Sequence, residues 1–314
     1  MTYKPSGHRI AGDRPPLRAR QGARGIESAA ATSGRHLGGW LWAVLSAVGL
    51  CAAAYGIWQW TEPDSDEDVA TPSLAQFFGS GLTASTDKDF GLDRVEILDG
   101  PDESLGPVLR VTYPRGSASQ SMARELGSAE GGAQVLLARQ EPADELHLRY
   151  FVRFPAGFEF VKGGKLPGFY GGTANDGGRI PDGTDGFSTR YMWRTQGAGE
   201  VYAYLPSSEE HGTSLGRGSW SFPTGRWVSI EQAVRLNQPD EEDGSVTVWL
   251  DGEEVFREDD MEYRAVDDLQ IDGVFFSTFF GGADPSWASP EDQVVDFADF
   301  EVSTSYIGPE PTDD

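Results

Sequence analysis

Ser188 and Arg190 in GFSTRYMWR, and Tyr202 and Tyr204 in GAGEVYAYLP, have the side-chain types that proton transfer on an anionic substrate requires. Arginine offers a planar fork that grips a carboxylate through two hydrogen bonds. Tyrosine, with a free pKa of about 10, becomes a usable base or acid when nearby cations favour its phenolate, so lowered tyrosine pKa values are expected here. Ser188 has no His–acid pair beside it, which makes it a group that binds a hydroxyl or carboxylate and not a nucleophile.

These residues must be brought together by strands. Side chains alternate along a strand, so Ser188, Arg190, Met192 and Arg194 share one face and Phe187, Thr189, Tyr191 and Trp193 share the other, the natural core face. A turn within TQGAG, centred near Gly197, pairs Arg190 with Tyr204 and Met192 with Tyr202 if the register is symmetric. Directly paired residues point the same way, so the serine, the arginine and both tyrosines converge on one sheet face. Alternation alone is equally satisfied by a solvated sheet surface with an incidental Arg–Tyr stack.

The rest of the chain reads as strands too. DRVEILDG, PVLRVTYP, AQVLLARQ, ELHLRYFVRF, RWVSIEQAVRLN, SVTVWLDGEEVF, GVFFSTFFGG and DQVVDFADFEVS are apolar runs bounded by Gly, Pro or acidic turn residues. In VTVWLDGEEVF the Asp-Gly pair is a hairpin signal. No sustained helical period follows residue 80. The fold class expected is all-β, a two-sheet β-jelly-roll (concanavalin-like) sandwich over residues 81–308. Trp193, Trp227 and Trp249 are expected in its core.

Ahead of that domain the sequence divides into a basic tail (1–36), an apolar span (37–60) and an acidic linker (61–80); an acidic tail (309–314) follows it. LGGWLWAVLSAVGLCAAAYGIWQW, residues 37–60, has no charged side chain and tryptophans near both ends, which fits one N-terminal transmembrane helix. Its arginine-rich flank orients the tail to the cytoplasm and exports the body. Cleavage after Ala52-Ala53-Ala54 is the competing outcome and would release the body as a secreted protein. The lone cysteine, Cys51, lies in this span, so the body has no disulfides.

The formal charge is −25. Such a body repels nucleic acid, and no nucleic-acid partner is expected. The basic residues are unevenly spread: residues 161–235 hold eight Lys/Arg against seven acids, whereas residues 236–314 hold two against 23. A near-neutral island on an acidic protein suits docking of a polyanion, and chance clustering explains it equally well on charge alone. Phosphate-binding glycine loops, metal-spaced His/Cys clusters and serine-hydrolase elbows are missing from the sequence, so no metal or cofactor is expected. In VVDFADFEV, Asp299 and Glu301 share a face while Asp296 and Glu301 differ in parity and face opposite ways; the first two are expected to face solvent.

The ordered string GGKLPGFYGG, GFSTRYMWR, GAGEVYAYLP, GRGSWSFPTGRW, VTVWLDG and FFSTFFGGADPSWA resembles polysaccharide lyase family 14 from about residue 145 to 303; residues 82–144 fit only loosely. The resemblance implies a β-jelly roll that cleaves a uronic-acid polysaccharide, such as alginate or glucuronan, by β-elimination. It also implies Lys165, from KLPG, as a site residue beside Ser188, Arg190, Tyr202 and Tyr204. Elimination removes the C5 proton and makes an enediolate-like dianion, which Arg190 with Lys165 would neutralise while a tyrosine moves the proton. Tyr204 is preferred slightly over Tyr202 for both proton transfers. Some lyases add a catalytic histidine, and none occurs between Lys165 and Tyr204; His211 and His147 are the available candidates near the cleft, with Arg179 and Arg194 as flanking substrate contacts. The expected partner is an anionic polysaccharide, bound by a monomeric domain. Two alternatives stay open: a non-catalytic carbohydrate-binding sandwich, and a glycoside hydrolase using a carboxylate such as Asp299.

Overall fold

The computed structural model describes residues 81–100 and 104–310, together with residues 74 and 77–79. The tail, the apolar span, most of the linker and residues 311–314 lie outside the described residues. No helix among the described residues is long and apolar enough to cross a membrane. The strands are β1 (Leu82–Phe90), β2 (Val95–Leu98), β3 (Val108–Tyr113), β4 (Ala133–Ala143), β5 (Glu145–Arg153), β6 (Gly163–Gly172) and β7 (Gly186–Arg194). They continue as β8 (Gly199–Tyr204), β9 (Thr213–Leu215), β10 (Trp227–Arg235), β11 (Gly244–Leu250), β12 (Glu253–Met261), β13 (Ile271–Phe280) and β14 (Gln293–Ser303).

Two seven-stranded sheets result. The front sheet runs β1-β4-β13-β6-β7-β8-β9 and the back sheet β12-β11-β10-β5-β14-β3-β2, with antiparallel pairing throughout. The expected two-sheet all-β sandwich is therefore present. Its core is filled by alternate residues of both sheets: Phe169, Phe187, Tyr191, Trp193, Phe276 and Phe280 from the front, and Leu148, Tyr150, Val152, Ile230, Val248 and Phe297 from the back. Each such side chain contributes roughly 1.5–3 kcal/mol by leaving water. Leu74 and Phe78, from the segment read as linker, are buried in the same core, Phe78 lying 5.4 Å from Phe276 and 5.1 Å from Phe300 between ring centres.

Several local expectations need correction. A short helix, α1 (Gln120–Leu126), occurs where none is legible, because seven residues are too few to show a period. Ser119 caps its start by accepting from the Met122 amide, and left-handed Gly127 ends it. Trp193 is in the core, but Trp227 and Trp249 stand on the outer face of the back sheet, against Arg153 and His147. β14 carries a bulge between Ala298 and Glu301, with Asp299 left-handed at φ 47°. The extra residue resets the parity, so Asp296 pairs with Arg153 and Glu301 with Arg149, and both point outward from the back sheet. The Asp251-Gly252 turn is as expected, with both residues at positive φ between β11 and β12.

A second bulge bears on the site. In β6 the register slips between Leu166 and Gly168, leaving Pro167 unpaired at the position where a proline costs no ladder bond. The Tyr150 hydroxyl, reaching across from β5, donates to the Pro167 carbonyl at 3.1 Å. The bulge brings Lys165 opposite Met192 and Gly168 opposite Arg190 on one face. A Cβ on Gly168 would sit 2.2 Å from the Thr189 carbonyl oxygen and 2.6 Å from Arg190 Cα, both backbone atoms. Gly168→Ala is accordingly expected to destabilise the fold by about 3 kcal/mol, read as a shifted urea midpoint with unchanged slope.

Candidate active site

The outer face of the front sheet gathers the residues singled out above. In the observed hairpin Ser188 pairs with Tyr204, Arg190 with Tyr202 and Met192 with Glu200. The symmetric pairing about Gly197 is thus off by two residues. The turn is the three-residue Thr195–Gly197, with Gln196 and Gly197 left-handed at φ 61° and 79°, and it centres on Gln196. A slip of two keeps every side chain on its face, so the convergence survives although the partners change.

Arg190 is buried, at 2% exposure, and is held on both sides. Its Nη1 donates to Ser277 Oγ at 3.1 Å, and its guanidinium lies 4.4 Å from the Phe275 ring centre. Ser277 in turn donates to Gln134 Oε1 at 2.8 Å, and Gln134 Nε2 donates to the Lys88 carbonyl at 2.7 Å. The chain of contacts fixes the guanidinium from β13, β4 and β1 in sequence. Arg190 Nε is buried with no partner.

Lys165 Nζ lies 3.5 Å from the centre of the Tyr202 ring and 2.6 Å from Met192 Sδ. A thioether is a weak acceptor, so these contacts replace water poorly. Burial, reinforced by the charges of Arg190 and Arg194, pushes the Lys165 ammonium well below the ordinary lysine range. Burial likewise lowers Arg190. Neither cation has a carboxylate in salt-bridge contact among the described residues, in a chain with 50 acids.

The tyrosines stand edge to face with ring centres 5.8 Å apart. The expectation of lowered tyrosine pKa values fails for Tyr202: burial outweighs the arginines and pushes it up to about 12. The Tyr204 hydroxyl accepts from the Gly178 amide at 3.0 Å, which leaves its own proton for another partner. Ser188 Oγ, fully buried, donates to the Asn175 carbonyl at 2.6 Å. Both contacts come from the connection between β6 and β7, which lies over this end of the site.

The remaining candidates divide. Arg179 is exposed in that connection, next to Gly178. His211 is exposed and its ring would come within 3.6 Å of a Cβ at Gly178, while Gly212 lies against the Tyr202 ring. Arg194 is beside Tyr202, 5.7 Å from the ring centre, and bound to Glu200. His147 is not there: it sits on the outer face of the back sheet, with Nδ1 2.7 Å from Glu231 and its ring stacked on Trp249. Alternation gave it the right parity, but on the wrong sheet. Asp299 and Glu301 also face out from the back sheet, both bound to buried Arg149. Asn175, Gln134, Ser277 and Glu200 were missed, and Met192, expected on this face, was given no part in the site. Gln134 and Ser277 sit on strands that meet β6 and β7 only through the non-sequential order β4-β13-β6, which no local pattern encodes.

The family model for polysaccharide lyase 14 matches residues 101–300. Among solved structures, the marine family 14 alginate lyase from Aplysia kurodai is similar at 30% identity and a TM-score of 0.61, over 69% of this chain and 90% of that one. The alginate lyase Aly36B shares the fold at 23% identity and a TM-score of 0.60, over 74% of this chain and 89% of that one. So does an alginate lyase from Chlorella virus, at 22% and 0.57, over 66% and 88%. No curated protein sequence matches the chain.

Proposed function

The chain belongs to polysaccharide lyase family 14 and is a polysaccharide lyase; from that premise we propose that it cleaves a uronic-acid polysaccharide of alginate or glucuronan type by β-elimination on the front-sheet face. The observation that carries this reading is the pair of buried cations, Lys165 and Arg190, that no carboxylate in the described residues contacts in an ion pair, Asp176 and Glu200 acting on them only from a distance. A uronate carboxylate entering between them would supply the missing anion and regain in ion pairing what the two side chains lost in hydration.

In the proposed step the Tyr204 phenolate takes the C5 proton. The electron pair moves to the carboxylate, giving a dianion that Arg190 and Lys165 stabilise. Collapse of the dianion forms the C4–C5 double bond and breaks the bond to O4, which receives the proton from Tyr204 in a syn elimination. Tyr202, held protonated by its raised pKa, donates a hydrogen bond to the substrate, whereas Ser188, expected to bind the uronate, is fully buried and holds the β6–β7 connection over the site through Asn175. A second reading is favoured by the lowered pKa of Lys165: as a neutral amine it takes the C5 proton itself. Arg179, His211 and Arg194 border the sugars on either side. The domain, expected as a jelly roll, would work outside the cell, held at the membrane by residues 37–60.

Incubation with alginate and with glucuronan tests the proposal through the ultraviolet absorbance of the unsaturated end formed on cleavage. Absorbance should rise with one of them, and the initial rate should fall with added salt, which screens the approach of a polyanion. Tight binding without absorbance would favour the carbohydrate-binding alternative. New reducing ends without absorbance would favour hydrolysis, to which Asp299, turned away on the other sheet, lends no support.

A further inference from the structure

Beyond the reacting residues, the same face continues past Tyr202 into a second aromatic and cationic cluster. Trp287 is presented by a short turn, Pro285–Trp287, that follows β13 and is capped by Asp284. It is half-buried and lies flat on Gly282, where a Cβ would fall 2.1 Å from the indole Cγ, so glycine at 282 is what lets the ring settle there. The Arg194 guanidinium is 5.8 Å and the Lys162 ammonium 5.9 Å from the indole centre. Arg194 is also 5.7 Å from the Tyr202 ring. The Arg194 guanidinium is thus about equally near the rings of Tyr202 and Trp287 and links the two parts of the face.

The charges in this cluster leave a positive excess. Glu200, fully buried, is shared between Arg194 and Arg217, the latter at 2.6 Å, and it also accepts from Ser214 at 3.2 Å. One carboxylate thus faces two guanidinium groups, and Arg194 Nε is a buried donor without a partner. Lys162, exposed, reaches the turn through the Ser286 hydroxyl, which itself donates to Asp284, so that this carboxylate offsets part of the Lys162 charge. An indole with two cations beside it suits a ring that carries a carboxylate: apolar C–H groups meet the indole and the anion meets the cations.

We propose that Trp287, Arg194 and Lys162 form a distal uronate subsite that holds a sugar not being cleaved and sets the chain length the enzyme prefers. The inference rests on the uronate-lyase reading of the adjoining site. The test uses uronate oligomers of defined length, with Trp287→Ala and Trp287→Tyr. For Trp287→Ala, KM for a hexamer and for polymer should rise about tenfold with kcat nearly unchanged. The shortest oligomer that is cleaved should be affected little, and Trp287→Tyr should restore most of the loss. Equal effects at every length, or none at any, would overturn the subsite. A wild-type protein that forms no unsaturated product from any uronate sinks the lyase reading separately. Hexamer binding measured by calorimetry then still decides the subsite, since it must weaken in Trp287→Ala.

Discussion

Tyr204→Phe is expected to lower kcat on the preferred uronate polymer by roughly a thousandfold, with KM changed less than about threefold. The ring is 3% exposed and packs against Tyr202, so phenylalanine keeps the packing and only the reacting oxygen is lost. Without that oxygen no group at this position takes the C5 proton or returns one to O4. The Gly178 amide also loses its acceptor, which costs about 1–3 kcal/mol of stability and is visible as a lower thermal midpoint that does not track the rate. Tyr202→Phe is the matched control. That hydroxyl stays protonated because its pKa is pushed up to about 12, so its removal should cost far less than that of Tyr204. If Tyr204→Phe keeps its rate within tenfold of wild type, Tyr204 is not the base, and the neutral Lys165 becomes the better assignment.

How much of this was legible beforehand depends on whether local or distant contacts decide it. The outward face of the hairpin follows from alternation alone, and it survived a wrong register because the slip was two residues rather than one. The opposition of Asp296 and Glu301 did not survive, because a bulge at Asp299 inserts one residue and puts both on the outer face, while Asp299 and Glu301 do face outward together as expected. Nothing in VVDFADFEV announces that bulge; it answers to Arg149, about 150 residues earlier, which binds both Asp299 and Glu301. His147 shows the same limit, since parity says which way a side chain points but not which sheet carries its strand. Lys165 came from the resemblance and not from periodicity, and the structure supplies the missing reason: a proline bulge that lets it share a face with Arg190's partner Gly168. The supports of Arg190, Gln134 and Ser277, depend on β4 and β13 lying beside β6, which is set by the whole sandwich.

The same site should be a liability for folding, and Lys165→Met exposes this. Activity is expected to fall by about a hundredfold or more, because one of the two cations facing the developing dianion is gone. The thermal midpoint should rise. In the folded protein the Lys165 ammonium is held well below its ordinary range by burial and by Arg190 and Arg194, whereas in the unfolded chain it titrates normally. At any pH below the unfolded value the unfolded state binds this proton more readily than the folded state, so folding is penalised. The penalty is full below the depressed folded pKa and fades as pH climbs towards the unfolded one. Methionine has a similar length and no charge, and it would sit beside Met192 without that penalty. The gain in midpoint should therefore be largest at pH below the depressed folded value and shrink steadily as pH rises to about 10. A variant with a lower midpoint, or with a gain that ignores pH, would mean that the Lys165 ammonium is well solvated. The buried-cation basis for binding a uronate carboxylate would fall with it.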